Sequence, residues 1–372
     1  MKFLIVGGSF DDNGGRASSM VSKFEQEFKN AGIEDIETFN GGNFSEIEGI
    51  LDKTKEADAV LWWANVPNDK PKIRDVKSVN PKCMLVTSKR NDDNKYNFSE
   101  LVNRALGAKA NLCVEFSKGN GRFQMFVFDP LGNEWYRGFD IGECCNVLKS
   151  RLIFLKDVTR QGCENLDLHT EVPDDKEFFK IVKDYAEVFH ELINPAKEVT
   201  RYLGNSSFRC QRGFPSFRQD GVVYVSRRNV DKRYIDKDNF VPTMLSKGRV
   251  LYQGEYKPSV DTPIQLRLYE LFPNINYMIH AHVYLEGAPF TKNMVPCGGL
   301  EEVNEVHKAL VHDLGDANRD FYAVNLVGHG CIAMAKTAEQ LKDLPYVGRV
   351  FPEKIMQDTD KEEQEEQEEL EM

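Results

Sequence analysis

The chain runs to 372 residues, too long for one ordinary domain at roughly 100–200 residues each, and its 41% hydrophobic and 29% charged composition excludes a wholly disordered chain. Its net charge of −11 is mostly a property of its end, because Asp358–Met372 holds nine acidic residues and one lysine and the remainder nets −3. No basic domain supports a nucleic-acid partner, and no apolar run reaches the roughly 18–20 residues that span a bilayer.

The first apolar stretch, Phe3–Val6, is too short for a secretory leader and reads as a strand, so a cytoplasmic protein is expected. The eight cysteines include no Cys-x-x-Cys pair and read as buried reduced thiols. After the strand comes a loop containing Gly7, Gly8, Ser9, Gly14 and Gly15. Such a loop ahead of a helix offers backbone N–H groups to an anion, or it is a plain connection; it matches no dinucleotide or Walker pattern. A helix follows over 17–31, where Met20, Val21, Phe24 and Phe28 recur near helical spacing.

Strands are predicted over 58–64 and 83–87, a helix over 98–106, strands over 112–116 and 123–128, a turn from Asp129, and a helix over 142–157. This alternation predicts an α/β fold with an open parallel sheet of Rossmann or flavodoxin type. The element order is distantly similar to nucleoside deoxyribosyltransferase-type folds, which is an analogy only. Glu115, at a strand end, reads either as an ordinary charge or as a nucleophilic carboxylate, and Trp62-Trp63 as core packing or a base-stacking pair. The polar stretch 162–176 marks a boundary, giving domains over 1–165 and 174–355. Residues 356–372 read as a disordered acidic tail. A helix over 176–192 opens the second domain, and the halves show no internal repeat.

His280-Ala281-His282 follows the strand-like run Ile275–Ile279. Side chains two apart on a strand share a face, so two imidazoles can converge on one ion. The bland alternative is polar decoration of a strand. His329, between Gly328 and Gly330, supplies a third imidazole, and three histidines leave a coordination position open, the catalytic pattern for zinc. His169, His190, His307 and His312 lack such settings. Upstream, Pro263 suits a first helical turn, so Asp261 or Thr262 reads as its cap; the functional reading of Asp261 is a metal ligand or acid/base.

The second half resembles the class II aldolase/adducin-like family, which includes fuculose-phosphate aldolase and ribulose-5-phosphate 4-epimerase. The likeness rests on Gly204-Asn205-Ser206-Ser207, Pro258-Ser259-Val260-Asp261, His280-Ala281-His282 and His329-Gly330, in that order, over about 176–350. It implies an α/β/α domain and a zinc held by His280, His282 and His329, with manganese or iron as other metals that accept such ligands. It implies substrate contacts from Asn205, Ser206 and Ser259, an acid/base role for Asp261, and a homotetramer. Val260 departs from the family's second serine, and Ser226-Arg227-Arg228-Asn229 stands where the family has a Thr-Pro-Ser-Gly-like loop. Arg227 and Arg228 read as an anion clamp or as solvated charges, and Tyr346 as a late acid.

The expected function is a metal-dependent lyase or epimerase acting on a small phosphorylated or carboxylated sugar through a stabilised enediolate. The alternatives are a non-catalytic adducin-like scaffold, and a nucleoside-directed transferase or hydrolase with its chemistry in the N-terminal domain.

Overall fold

The computed structural model describes residues 1–66, 73–91, 96–119, 122–160, 163–165, 170–193, 204–209, 221–312 and 319–349. His169, Cys210 and the acidic tail lie outside the described residues. The chain divides into two compact units, Met1–Ile153 and Phe154–Arg349, with the dividing point inside a long helix.

In the first unit the strands are β1 (Phe3–Asp11), β2 (Ile36–Asn43), β3 (Ala59–Trp62), β4 (Met84–Asn91), β5 (Leu112–Gly119), β6 (Arg122–Phe128) and β7 (Glu134–Gly138). They form one sheet in the order β2-β1-β3-β4-β5-β6-β7. The first five are parallel, in the 2-1-3-4-5 order of flavodoxin-like doubly wound sheets. β6 and β7 extend the sheet antiparallel, so it is mixed rather than wholly parallel. The hairpin between them is closed by Asp129, whose carboxylate accepts from the backbone N–H of Leu131 and Asn133 and from Trp135 Nε1. The helices are α1 (Ser19–Asn30), α2 (Ile47–Lys53), α3 (Ile73–Val79), α4 (Phe98–Gly107) and α5 (Ile141–Arg160). α1 buries Val21, Phe24 and Phe28, one stripe at helical spacing, and Phe28 meets Phe3 edge-on at 5.2 Å. Asn97 caps α4, its side chain accepting from Glu100 N at 2.8 Å.

The second unit holds β8 (Cys163–Asn165), α6 (Lys176–Ile193), β9 (Asn205–Arg209), β10 (Val223–Ser226), β11 (Phe240–Ser246), β12 (Arg249–Tyr252) and α7 (Thr262–Leu271). These are followed by β13 (Tyr277–Ala281), β14 (Tyr284–Leu285), α8 (Glu301–His312), β15 (Phe321–Leu326), β16 (Gly330–Ala335) and β17 (Tyr346–Val347). Eight strands make a sheet in the order β15-β16-β13-β9-β10-β11-β12-β8, antiparallel except at β8, and β14 pairs with β17. Strand alternation sorts the core into two layers. Phe178, Phe179 and Phe189 of α6 pack on Phe208, Tyr224, Ile279 and Ala281. Ile264 and Leu268 of α7 and Val303 and Val306 of α8 pack on Val223, Val225, Met278 and Val324. The unit is therefore α/β/α. By the same alternation His280, two residues beyond Met278, faces the α7/α8 side, and so does Asn205, its register partner on β9.

Candidate metal centre

Strand alternation and one close backbone approach bring three histidines together. His280 lies in β13, His282 one residue past its end, and His329 in the turn between β15 and β16. Gly330 permits this approach, because a Cβ there would sit 2.0 Å from the Ala281 carbonyl oxygen. The ring centroids are 5.1 Å apart for His280–His282, 4.6 Å for His280–His329 and 5.0 Å for His282–His329. One nitrogen from each ring lies within 4.8 Å of the others, and all three residues are buried.

Two rings are oriented from behind. His280 Nδ1 is 2.9 Å from the Cys331 carbonyl oxygen, which only accepts, so Nδ1 carries the proton and Nε2 presents a lone pair. His329 Nδ1 lies 2.6 Å from Glu302 Oε1 in the first turn of α8. The Nε2 atoms of His280 and His329 are buried without a hydrogen-bond partner among the described residues. Buried imidazole nitrogens left unsatisfied are costly, and a cation between them removes that cost. The donor set therefore fits a divalent metal.

The electrostatics agree. Burial, reinforced by neighbouring His329, pushes the His280 pKa down to about 4, so the ring is neutral, the ligating form, near pH 7. Burial pushes the Glu302 carboxyl up; it also opposes a charged His329, but the adjacent Glu302 charge and Cys297 pull His329 up. The pair holds a proton between Oε1 and Nδ1.

A second cluster adjoins the histidines. Asp261 stands at the N-cap of α7, yet its side chain makes no capping bond. Thr262 Oγ1 instead donates to the Ser259 carbonyl at 2.7 Å. Asp261 Oδ2 accepts from Asn205 Nδ2 at 2.8 Å and lies 3.9 Å from His280 Nε2. Asn205 Nδ2 also reaches Ser259 Oγ at 3.1 Å, and its Oδ1 accepts from Gln265 Nε2. Ser206 is fully buried; its N–H donates to Ser226 Oγ, and its own hydroxyl has no partner among the described residues.

Asn205, Ser259 and Asp261 are thus joined, and the other expected residues take different places. Arg227 bridges to Pro258 through its backbone and lays its guanidinium over the Tyr256 ring at 4.1 Å, and Arg228 is exposed. Tyr346 is wedged edge-on against Tyr185 and Phe189 of α6 in an apolar cluster, and its hydroxyl takes no part in this network.

Four residues of the site carried no clear sequence signal. Glu302 sits in an acidic first turn that reads as solvated, and Gln265 looks like any helix polar residue. Lys232 is buried, and burial lowers its pKa to about 8 against the pull of Asp231 and Asp261. Cys297 Sγ lies 3.6 Å from Asp261 Oδ1. A proline-glycine-framed cysteine, Pro296-Cys297-Gly298-Gly299, was the one hint available.

In the first unit, Gly7, Gly8 and Ser9 belong to β1, which continues through the expected loop to Asp11. The N–H groups of Ser9, Gly14 and Gly15 donate to the carbonyls of Arg16, Asp11 and Gly42, so these donors are engaged within the chain. Glu115 is buried; its Oε1 accepts from Asn91 Nδ2 at 2.7 Å, Oε2 has no partner among the described residues, and burial raises its pKa. Trp63 packs edge-on against Phe24 and Phe116.

Residues 183–285 match the class II aldolase and adducin N-terminal domain. The chain is 27% identical over 134 residues to methylthioribulose-1-phosphate dehydratase of Picosynechococcus sp., which is 35% of this chain and 63% of that protein. It is 32% identical over 85 residues to L-ribulose-5-phosphate 4-epimerase of Salmonella paratyphi B, 23% of this chain and 33% of that enzyme. The chain thus spans less than two thirds of the length of either relative. Among solved structures it is similar to L-fuculose-1-phosphate aldolase from Thermus thermophilus, with 17% identity and a TM-score of 0.28 over 46% of this chain and 82% of that one. It is also similar to the DNA/pantothenate metabolism flavoprotein of Streptococcus pneumoniae, with 10% identity and a TM-score of 0.34 over 42% of this chain and 99% of that one. Among the described residues no helix is long and apolar enough to cross a membrane.

Proposed function

We propose that residues 154–349 form a metal-dependent lyase or epimerase acting on a small phosphorylated or carboxylated sugar. The convergence of His280, His282 and His329, with the buried Nε2 atoms of His280 and His329 unpaired among the described residues, is the observation that carries this reading. These three would hold the ion, zinc being the first choice for three imidazoles. A bound zinc ion would polarise a ketose carbonyl and stabilise the enediolate made from it.

The chain's own residues supply the rest. Asp261, fixed by Asn205, stands beside the histidines and moves the substrate proton. Asn205 and Ser259, already joined, present amide and hydroxyl groups to the substrate's anionic end. The buried Lys232 ammonium adds positive charge near Asp261 that favours an anionic ligand. Glu302 holds the His329 ring in its ligating orientation.

The test is turnover of a panel of ketose phosphates and sugar acids by the full chain, followed for retro-aldol cleavage, water loss and epimerisation. Turnover abolished by a chelator and restored by zinc supports the reading. A panel left untouched by zinc-loaded protein speaks for the adducin-like scaffold.

A further inference from the structure

We propose that Cys297 is a fourth protein ligand of the metal in this site, making the set three imidazoles and one thiolate. This rests on the metal reading above and goes beyond it, because it fixes the donor chemistry and with it the metal.

The geometry comes first. Cys297 Sγ, a carboxylate oxygen of Asp261 and a ring nitrogen of His329 lie within 4.8 Å of one another, and His329 is shared with the three-histidine group. The sulfur therefore adjoins His329, whose buried Nε2, like that of His280, has no hydrogen-bond partner among the described residues. The sulfur and the His280 and His282 nitrogens belong to two groups that share His329, so a common ion would draw Cys297 Sγ inward to a metal–sulfur bond near 2.3 Å beside metal–imidazole bonds near 2.0–2.1 Å.

The segment carrying the sulfur is built rather than loose. Upstream, Asn293 N and Nδ2 both donate to Glu305 Oε2 of α8, at 3.0 and 3.1 Å. Pro296 and Gly299 close a turn around Cys297, with Gly299 N donating to the Pro296 carbonyl at 2.8 Å. Gly298 has φ +84°, and a Cβ there would lie 2.3 Å from Val158 Cγ1, so glycine is needed for the turn to sit this deep. Glu305 thus anchors one end of the turn and Glu302 orients His329, both from α8, so a single helix registers sulfur and imidazole together.

The chemistry follows. On coordination the S–H bond breaks and a metal–sulfur bond forms. The proton passes to Asp261 Oδ1, which already accepts from the thiol, or to water. A thiolate beside three imidazoles is a soft set that favours zinc or cobalt over manganese and magnesium. Cys297 is partly exposed while the histidines are buried, so its side of the cluster would be the one open to a substrate oxygen.

Cobalt(II) substitution of the full chain tests this with a readout independent of turnover. The expected result is visible ligand-field bands together with a near-ultraviolet sulfur-to-cobalt charge-transfer band. In Cys297→Ser the ligand-field bands persist, the charge-transfer band disappears, and competition titration shows zinc binding weakened at least about tenfold. A wild-type cobalt protein with ligand-field bands and no charge-transfer band overturns the sulfur ligand and leaves the histidine site standing. A band that survives in Cys297→Ser overturns it as well. No ligand-field bands in the wild type overturns the metal reading and this one together. Should the serine variant fail to fold, alkylation of wild-type Cys297 followed by mass spectrometry decides: protection by zinc supports ligation, and equal labelling with and without zinc contradicts it.

Discussion

The two units differ in how many polar groups they bury. In the first, Thr54, Thr87, Asn91 and Glu115 are the buried polar residues among those described, the last three on the adjacent strands β4 and β5, where Asn91 donates to Glu115. The glycine-rich segment after Val6 spends its N–H groups on neighbouring carbonyls. In the second, Asn205, Lys232, Asp261, Gln265, His280, His282, Glu302 and His329 are buried, with Asn205 and His280 register partners on the interior strands β9 and β13, and Nε2 of His280 and His329 and Oε1 of Gln265 have no hydrogen-bond partner among the described residues. Burying a polar group costs free energy unless something satisfies it, so such a concentration marks where a ligand belongs. A parallel sheet with the flavodoxin-like order is by itself no evidence of a site, whereas convergent unsatisfied donors are.

The largest expected effect comes from attacking the convergence itself. His280→Ala/His282→Ala should lose bound metal and turnover together while the far-ultraviolet circular dichroism stays that of a folded protein; retained turnover would move the chemistry out of this unit. Asp261→Asn should keep the metal and lower kcat by about 10²–10⁴, the usual span for a general acid or base, with little change in KM. A kcat within a few fold of wild type would reduce Asp261 to a scaffold residue.

Glu302→Gln sharpens the comparison by loosening one ligand from behind. Zinc affinity should fall about 10–100-fold in a competition titration, the usual cost of removing an outer partner of a metal-bound histidine. Unchanged affinity would mean that Glu302 does not orient His329.

Lys232 offers a stability test with a definite sign. Its folded pKa, about 8, lies below the ordinary 10.5, so the unfolded chain binds more protons between these values. Stability contributed through this group is therefore lowest below about pH 8 and rises as pH increases from there towards 10.5. Lys232→Met should gain about 1 kcal/mol near pH 7, read as roughly 2–4 °C in Tm, and the advantage should shrink above pH 8. The same variant should raise KM for an anionic substrate. A gain independent of pH would assign the effect to packing.

The smallest effect is expected from the first unit. Glu115→Gln should leave metal content and sugar-phosphate turnover as they are in the wild type. Loss of either would break the separation between the two units.

What could be read in advance follows the range of the physics involved. Continuous apolar runs such as Phe3–Val6 and Ala59–Trp62, and the Val21/Phe24/Phe28 stripe, are local signals, and the predicted elements match them closely. β2 was missed because Ile36–Asn43 is rich in Gly and Asn and lies at a sheet edge, half-buried, with no alternating pattern. Gly7-Gly8 signals a turn after Val6, whereas pairing with β2 carries β1 on to Asp11. The histidines were legible because strand periodicity and flanking glycines act locally. Asp261 announced itself as a helix cap, and only the fold reveals that its carboxylate turns to Asn205 instead. Glu302, Lys232 and Cys297 could not be picked out, since their burial depends on elements distant in sequence. A late tyrosine reads as an acid from sequence alone, and the fold packs the Tyr346 ring against Tyr185 and Phe189 of α6.

The most direct measurement is metal content per subunit on freshly purified full-length protein, beside His280→Ala/His282→Ala prepared in parallel. One equivalent of zinc in the wild type and none in the folded variant is the predicted result. No metal in either, after incubation with zinc and removal of the excess, would contradict a metal centre at His280, His282 and His329.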